Sequence, residues 1–176
     1  MRGIRPFCEK TTMSTKLPTR PAKVLAPSTP RLAIVASEYN PDFVQALINH
    51  TCKELYAIDG TCVIELFGVP GAFEIPLVAE MIAAQRRHNA IIALGVILQG
   101  RTKHAEFVGA SVTDSLQQVA LKHVVPVIHE VLLVANEDEA RERCLDKELN
   151  RGIEAARAAF AMLRVREEVQ RKKTSR

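Results

Sequence analysis

No stretch of the 176-residue chain approaches the ~18 consecutive apolar residues of a membrane-spanning helix, and the first thirty residues lack the continuous apolar core of a secretory signal. Cysteine is scarce and scattered. Cys8, Cys52, Cys62 and Cys144 include no Cys-x-x-Cys pair, so neither a metal cluster nor a disulfide framework is expected, and free thiols in a reducing cytoplasm are. No Gly-x-Gly-x-x-Gly follows the first apolar run and no Gly-Lys-Thr/Ser occurs, which leaves dinucleotide and P-loop readings without their phosphate cradle. No internal repeat is evident.

Charge is present in both signs but unevenly placed. The net charge is +4, yet Met1 to Arg31 holds seven Lys/Arg against one Glu, and Arg164 to Arg176 holds six against two. Leu32 to Leu163 is left with eleven basic and seventeen acidic residues. The basic character belongs to the ends, so it does not argue for a nucleic-acid-binding domain. Residues 1–30, rich in Pro, Thr, Ser, Lys and Arg, read as a flexible basic tail, with an organelle transit peptide as the alternative. Residues 31–163 form the folded domain, and residues 164–176 a basic, solvated C-terminal tail.

Within the domain, strand and helix signals alternate four times. Leu32 to Ala36 is a short buried strand, and Asn40-Pro41 suits a helix cap and first turn. Phe43, Leu47, Ile48, Leu55 and Ile58 then recur at helical spacing until Asp59-Gly60 stops the helix. Thr61 to Val69 is the second strand, followed by the tight Pro70-Gly71 connection and a helix over Ile75 to Arg87. Ile91 to Leu98 is apolar without alternation, as in a strand buried on both faces of a parallel sheet. Val108, Val112, Leu116, Val119 and Ala120 mark the next helix. Val124 to Val134 is the fourth strand, Asn136 caps a helix start, Arg141 to Lys147 is charged and solvated, and Arg151 to Met162 is an Ala-rich helix. The pattern predicts a three-layer α/β/α sandwich, flavodoxin-like, on a four-stranded parallel sheet with right-handed crossovers.

Sites in such sheets collect at the carboxyl ends of the strands. Those ends carry Tyr39-Asn40, Gly71-Ala72-Phe73-Glu74, Gln99 to His104, and Leu133 to Asn136. The third is chemically the richest: Gln99-Gly100-Arg101-Thr102-Lys103-His104 sets a permissive glycine, a hydroxyl, two cations and an imidazole where a helix begins. Free N–H groups and the helix dipole favour an anion there. Imidazole takes and returns protons near neutral pH, so a histidine beside a held anion is a candidate acid–base.

The block Val69-Pro70-Gly71-Ala72-Phe73-Glu74-Ile75-Pro76, with Ala93-Leu94-Gly95-Val96-Ile97 and Gly100-x-Thr102-x-His104 after it, resembles the lumazine synthase family across Leu32 to Leu163. The resemblance implies condensation of 5-amino-6-(D-ribitylamino)uracil with 3,4-dihydroxy-2-butanone 4-phosphate to 6,7-dimethyl-8-ribityllumazine, the penultimate step of riboflavin synthesis. It implies no metal and no organic cofactor, and no nucleic-acid or membrane partner. Homopentamers or a 60-subunit icosahedral shell are implied, with sites between neighbouring subunits and riboflavin synthase as a candidate partner. By the same resemblance Tyr39 stacks on the pyrimidine, Ala72, Phe73 and Glu74 hold the ribityl chain and ring, and Val96, Ile97 and Leu98 line the heterocycle. Arg101, Thr102 and Arg143 hold the phosphate, His104 is catalytic, and His129 takes the neighbour-facing aromatic position.

The sequence departs from the family at several places. Arg101 replaces a small residue, Lys103 precedes His104, His129 replaces a preferred Phe, Glu38 replaces a frequent Arg, and Leu145 to Gly152 lacks the usual Gly-rich segment. These departures keep open a diverged paralogue that forms shells or binds a flavin-like ligand with little turnover. A generic flavodoxin-like nucleotide binder is the third class, and it predicts a monomer.

Overall fold

The computed structural model describes residues 17–22 and 29–174. Strands β1 (Arg31–Ser37), β2 (Val63–Val69), β3 (Ala90–Leu98) and β4 (Val127–Val134) form one parallel sheet in the order β2-β1-β3-β4. Helices α1 (Pro41–Ile58), α4 (Glu137–Cys144) and α5 (Arg151–Thr174) cover one face. Helices α2 (Ile75–Ala84) and α3 (His104–His123) cover the other, with a 3-10 turn at Ala72–Glu74 leading into α2. The expected three-layer sandwich is therefore what forms.

The sheet alternation divides the core in two. Leu32, Ile34, Ile92 and Leu94 point into one cluster with Leu47, Leu55 and Phe160, while Ala33, Val35, Ile91 and Ala93 point into the other with Ile75, Val112 and Leu116. Full burial of a Leu or Ile stabilises by about 1.5–3 kcal/mol, and the central strands β1 and β3 carry apolar side chains on both faces. That is why their sequences read as unbroken apolar runs.

Where α1 meets α5 the contact is close. A Cβ on Gly152 would lie 2.6 Å from the Leu47 carbonyl oxygen, and Thr51 Oγ1 donates to the Gly152 carbonyl at 3.1 Å. Beside it the buried Glu54 carboxylate accepts from Arg157 Nε at 2.8 Å and from Arg20 Nε and Nη2 at 2.8 and 2.7 Å. The Arg20 bonds, then those of Arg157, hold Glu54 below the usual carboxylate range against the opposing effect of burial. Arg157 also donates to the Pro18 carbonyl, so residues 17–22 lie against α1 and α5. The rest of the expected N-terminal tail, residues 1–16 and 23–28, lies outside the described residues.

Several boundaries differ from the sequence expectation for local reasons. The second strand begins at Val63 because Thr61 turns back on Asp59, its N and Oγ1 both donating to Asp59 Oδ1 at 3.0 and 2.7 Å. The fourth begins at Val127 because Val124 ends α3 in the left-handed region, at φ 52°. Helix α2 stops at Ala84, and Arg86 follows at φ 54°. The largest difference is at the C-terminus. The helix expected to end at Met162 runs on to Thr174, so most of the tail expected after Leu163 is helical. No Gly or Pro follows Met162 within it, and Arg171 pairs with Glu167 one turn back at 3.6 Å. Residues 164–172 are largely solvated.

Candidate functional site

The strand order reverses between β1 and β3, and the crevice outside their carboxyl ends is where such sheets bind ligands. Asn40 bridges it. Expected as a capping side chain, Asn40 instead sits at φ 57° and makes no side-chain cap bond; its Nδ2 donates to the Val96 carbonyl at 2.8 Å. Asn tolerates the left-handed region better than most residues. The price of a lost cap is thus set against a bond that fixes the turn after β1 to the tip of β3.

Gly71 brings two more site residues together. Its backbone is extended, at φ −143° and ψ 175°, so conformation does not demand glycine. Space does. A Cβ there would meet Glu74 Oε2 at 2.9 Å and the Tyr39 ring at 3.3 and 3.4 Å. The Tyr39 ring and the Glu74 carboxylate therefore flank one glycine although they are far apart in sequence. Tyr39 is 71% exposed and Phe73 61% exposed. For large side chains at the strand tips to stand in solvent is unusual, whereas Ala72 and Val96 are buried. Ile97 and Leu98 are half-buried. Gly95 leaves room below: a Cβ would lie 3.1 Å from Ser37 Oγ and 3.3 Å from Val131 Cγ1.

The turn after β3 is exposed throughout, from Gln99 to His104. Gln99 N donates to the Val134 carbonyl at 2.9 Å, tying the β3 and β4 tips, and His104 opens α3 with its N–H 3.4 Å from Thr102 Oγ1. Gly100 has no positive φ, and a Cβ would meet nothing within 4 Å, so neither backbone conformation nor crowding within the chain requires a glycine here. The turn opens onto free space in front of Gly100.

His129 and Arg143 stand apart from this group. His129 is on the edge strand β4, with its Nε2 3.0 Å from Thr113 Oγ1 on α3; burial lowers its pKa, opposed by a hydrogen bond to its own backbone. Arg143 is held by Glu139, Nε to Oε1 at 3.2 Å. Glu139 also caps: its Oε2 accepts from Ala135 N at 2.9 Å, while Asn136 Oδ1 accepts from Glu139 N at 2.9 Å, the helix start expected from the sequence. The Ala135 N–H bond, then Arg143, keeps the Glu139 carboxyl below its ordinary range. No hydrogen bond or ion pair among the described residues links Arg143 to the Thr102 turn.

The model of the 6,7-dimethyl-8-ribityllumazine synthase family matches residues 29–167. The chain belongs to this family. A 6,7-dimethyl-8-ribityllumazine synthase of Coxiella burnetii (strain Dugway 5J108-111) is 35% identical over 141 residues, covering 80% of this chain and 93% of that protein. The synthase of Chlorobium phaeobacteroides is 37% identical over 135 residues, covering 76% and 86%. That of Xanthomonas euvesicatoria pv. vesicatoria is 36% identical over 144 residues, covering 81% and 94%. The matched span includes every candidate site residue named above.

In this lumazine synthase family member the sequence reading missed four participants: Asn40 as a bridge, Gly71 as a spacer, Glu139 as the holder of Arg143, and Thr113. It also missed Glu130. Between Ile128 and Leu132 on β4, Glu130 faces the α4 and α5 side of the sheet, and its carboxyl is pushed up to about 8. Burial is the main cause, the charge of Glu154 adds to it, and Arg151 and Arg143 oppose it. The neighbouring Cys144 thiol is pushed up to about 11 by burial and then by Glu130. A charged residue in an apolar strand signals something, but the strand pattern alone does not say what faces it. Among the described residues no cluster of His, Cys, Asp and Glu is arranged to hold a metal ion, and no helix is long and apolar enough to cross a membrane.

Proposed function

We propose that the chain condenses 5-amino-6-(D-ribitylamino)uracil with 3,4-dihydroxy-2-butanone 4-phosphate to give 6,7-dimethyl-8-ribityllumazine. The observation that carries this reading is the placement of Tyr39 and Glu74 on either side of Gly71, at the point where the strand order reverses. An exposed aromatic face beside a carboxylate suits a planar pyrimidine bearing a hydroxylated chain. Tyr39 and Phe73 take the ring, Glu74 and the backbone at Ala72 and Phe73 take ribityl hydroxyls, and Val96, Ile97 and Leu98 form the apolar edge.

The second substrate docks at the turn before α3. Arg101, Thr102 and the N–H groups that open the helix hold its phosphate, and His104 stands beside them. Imine formation, phosphate elimination, ring closure and loss of water each move protons, which an exposed imidazole can take up and return. Holding two substrates in one crevice supplies a further share of the acceleration.

The assembly belongs to the same proposal. In a homopentamer, alone or as part of a 60-subunit shell, the open edge at β4 faces a neighbour, and His129 and Arg143 complete that neighbour's site. Their separation from the Thr102 turn within one chain supports this reading, as does the exposure of Tyr39 and Phe73.

A steady-state assay with both substrates tests the proposal. His104→Ala is expected to lower kcat by about ten- to a hundredfold, at or below the usual range for acid–base groups, because water can shuttle protons to an exposed site. Light scattering is expected to show pentamers or larger particles for both proteins. Equal rates for the two proteins, with assembly intact, would overturn the enzyme reading.

A further inference from the structure

We propose that Thr113 is a positioning residue for the pyrimidine subsite, clamping His129 so that the imidazole presents its flat face where a ring can stack. This rests on the reading just given, in which His129 faces the neighbouring subunit's site.

The clamp has two anchors. Thr113 Oγ1 donates to the Gly109 carbonyl one turn back at 2.8 Å, a bond that fixes the side-chain rotamer of a β-branched residue. With its rotamer fixed, the same oxygen lies 3.0 Å from Nε2 of His129. The ring's hydrogen bond to its own backbone restrains it only locally, whereas the contact with Thr113 ties Nε2 to α3, and the ring cannot rotate without breaking it.

The packing around the clamp holds α3 against β4. His129, Val131 and Leu133 alternate onto the α3 side of the sheet, and Gly109 takes Leu133 at ordinary contact distance, its added Cβ falling 3.8 Å from Leu133 Cδ2. Thr113 and Gly109 are one turn apart on α3, and His129 and Leu133 are two pleats apart on β4. The two pairs form a zipper in which the apolar contact sets the distance and the hydroxyl sets the ring. Although His129 is exposed overall, desolvation of its ring lowers its pKa, which favours the neutral form. A neutral ring held in this way offers a planar surface much as an aromatic hydrocarbon does. The clamp thus accounts for a histidine serving at a position that favours phenylalanine.

Thr113→Val keeps the shape and removes the hydroxyl, Thr113→Ser keeps the hydroxyl, and His129→Phe removes the need for it. Thr113→Val is expected to raise KM for the pyrimidine substrate about three- to tenfold, the loss of one hydrogen bond, with kcat and the KM for the butanone phosphate little changed. Thr113→Ser is expected to restore the wild-type KM. In the His129→Phe background Thr113→Val is expected to have no effect on KM. Independently of turnover, the 15N resonance of His129 Nε2 is expected to move in Thr113→Val and return in Thr113→Ser. An unmoved Nε2 resonance overturns the clamp even if the enzyme reading stands. A moved resonance in a protein without turnover keeps the clamp and sinks the reading it serves. An equal KM effect of Thr113→Val with and without His129→Phe also overturns the proposal.

Discussion

Glu130 makes the chain's stability depend on pH in a direction opposite to that of most carboxylates. Its carboxyl rises from the ordinary 4.5 to about 8 on folding, because burial, and then the charge of Glu154, disfavour the ionised form more than Arg151 and Arg143 favour it. A group with a raised folded pKa contributes its full stability below the unfolded value, and that contribution is lost as pH climbs through the folded value. The loss begins near pH 4.5 and is complete just above pH 8. Its slope is ~1.4 kcal/mol per pH unit, so the ceiling is ~3 kcal/mol at pH 7 and ~5 kcal/mol above pH 8. Relaxation and water entry reduce both figures, and ~2 kcal/mol or more at pH 8 is the expected outcome. Glu130→Gln has nearly the same shape and no ionisable proton. Paired denaturant titrations of wild type and Glu130→Gln, at matched protein concentration because assembly contributes to stability, are read at pH 5, 6, 7, 8 and 9. The variant's advantage should be smallest at pH 5, grow up to pH 8, and then level. A difference that stays constant across this range, or shrinks as pH rises, would refute the account of a buried, proton-holding carboxyl.

Other perturbations probe other parts of the structure. Gly71→Ala is expected to raise KM for the pyrimidine substrate with little change in thermal stability, because the new Cβ presses on Tyr39 and Glu74 at the surface and not on the core; calorimetry beside kinetics reads both. Gly152→Ala is expected to destabilise by about 2 kcal/mol or more, since the atom in its way is a main-chain oxygen on α1 that cannot swing aside; denaturant midpoints check it. Arg157→Met is expected to lower stability at pH 7, by an amount that shrinks only as pH falls below 4.5 towards the depressed folded pKa of Glu54. Glu54 is held below its ordinary range, so the stability it contributes is present above its unfolded pKa and lost as pH falls. A deficit unaffected by acid would argue against the ion pair. Gly100→Ala is expected to leave stability unchanged, and any rise it causes in KM for the butanone phosphate reports on the ligand's approach, since a Cβ there meets nothing of the chain.

Family membership and the outline of the fold were legible in the sequence because both rest on local signals. Unbroken apolar runs marked β1 and β3, helical spacing marked α1 and α3, and Asp59-Gly60 and Asn136 marked helix ends, all from neighbours within a few positions. The Pro70 to Pro76 block and the Gly100-x-Thr102-x-His104 turn carried the family in the same way. The far end of α5 was missed because a charged face resembles a tail until a long helix carries it.

What only the tertiary structure decided lies between residues distant in sequence. The order β2-β1-β3-β4 places the turn after β1 beside the tip of β3, and so turns Asn40 from a helix cap into a bridge to Val96. The packing of α3 on β4 gives His129 a hydroxyl from Thr113, and α4 and α5 bury Glu130 among charges of both signs. Periodicity reports which face a side chain occupies, but not what meets it there. That meeting is set by strand order and helix packing, which the minimisation of exposed apolar surface across the whole chain decides.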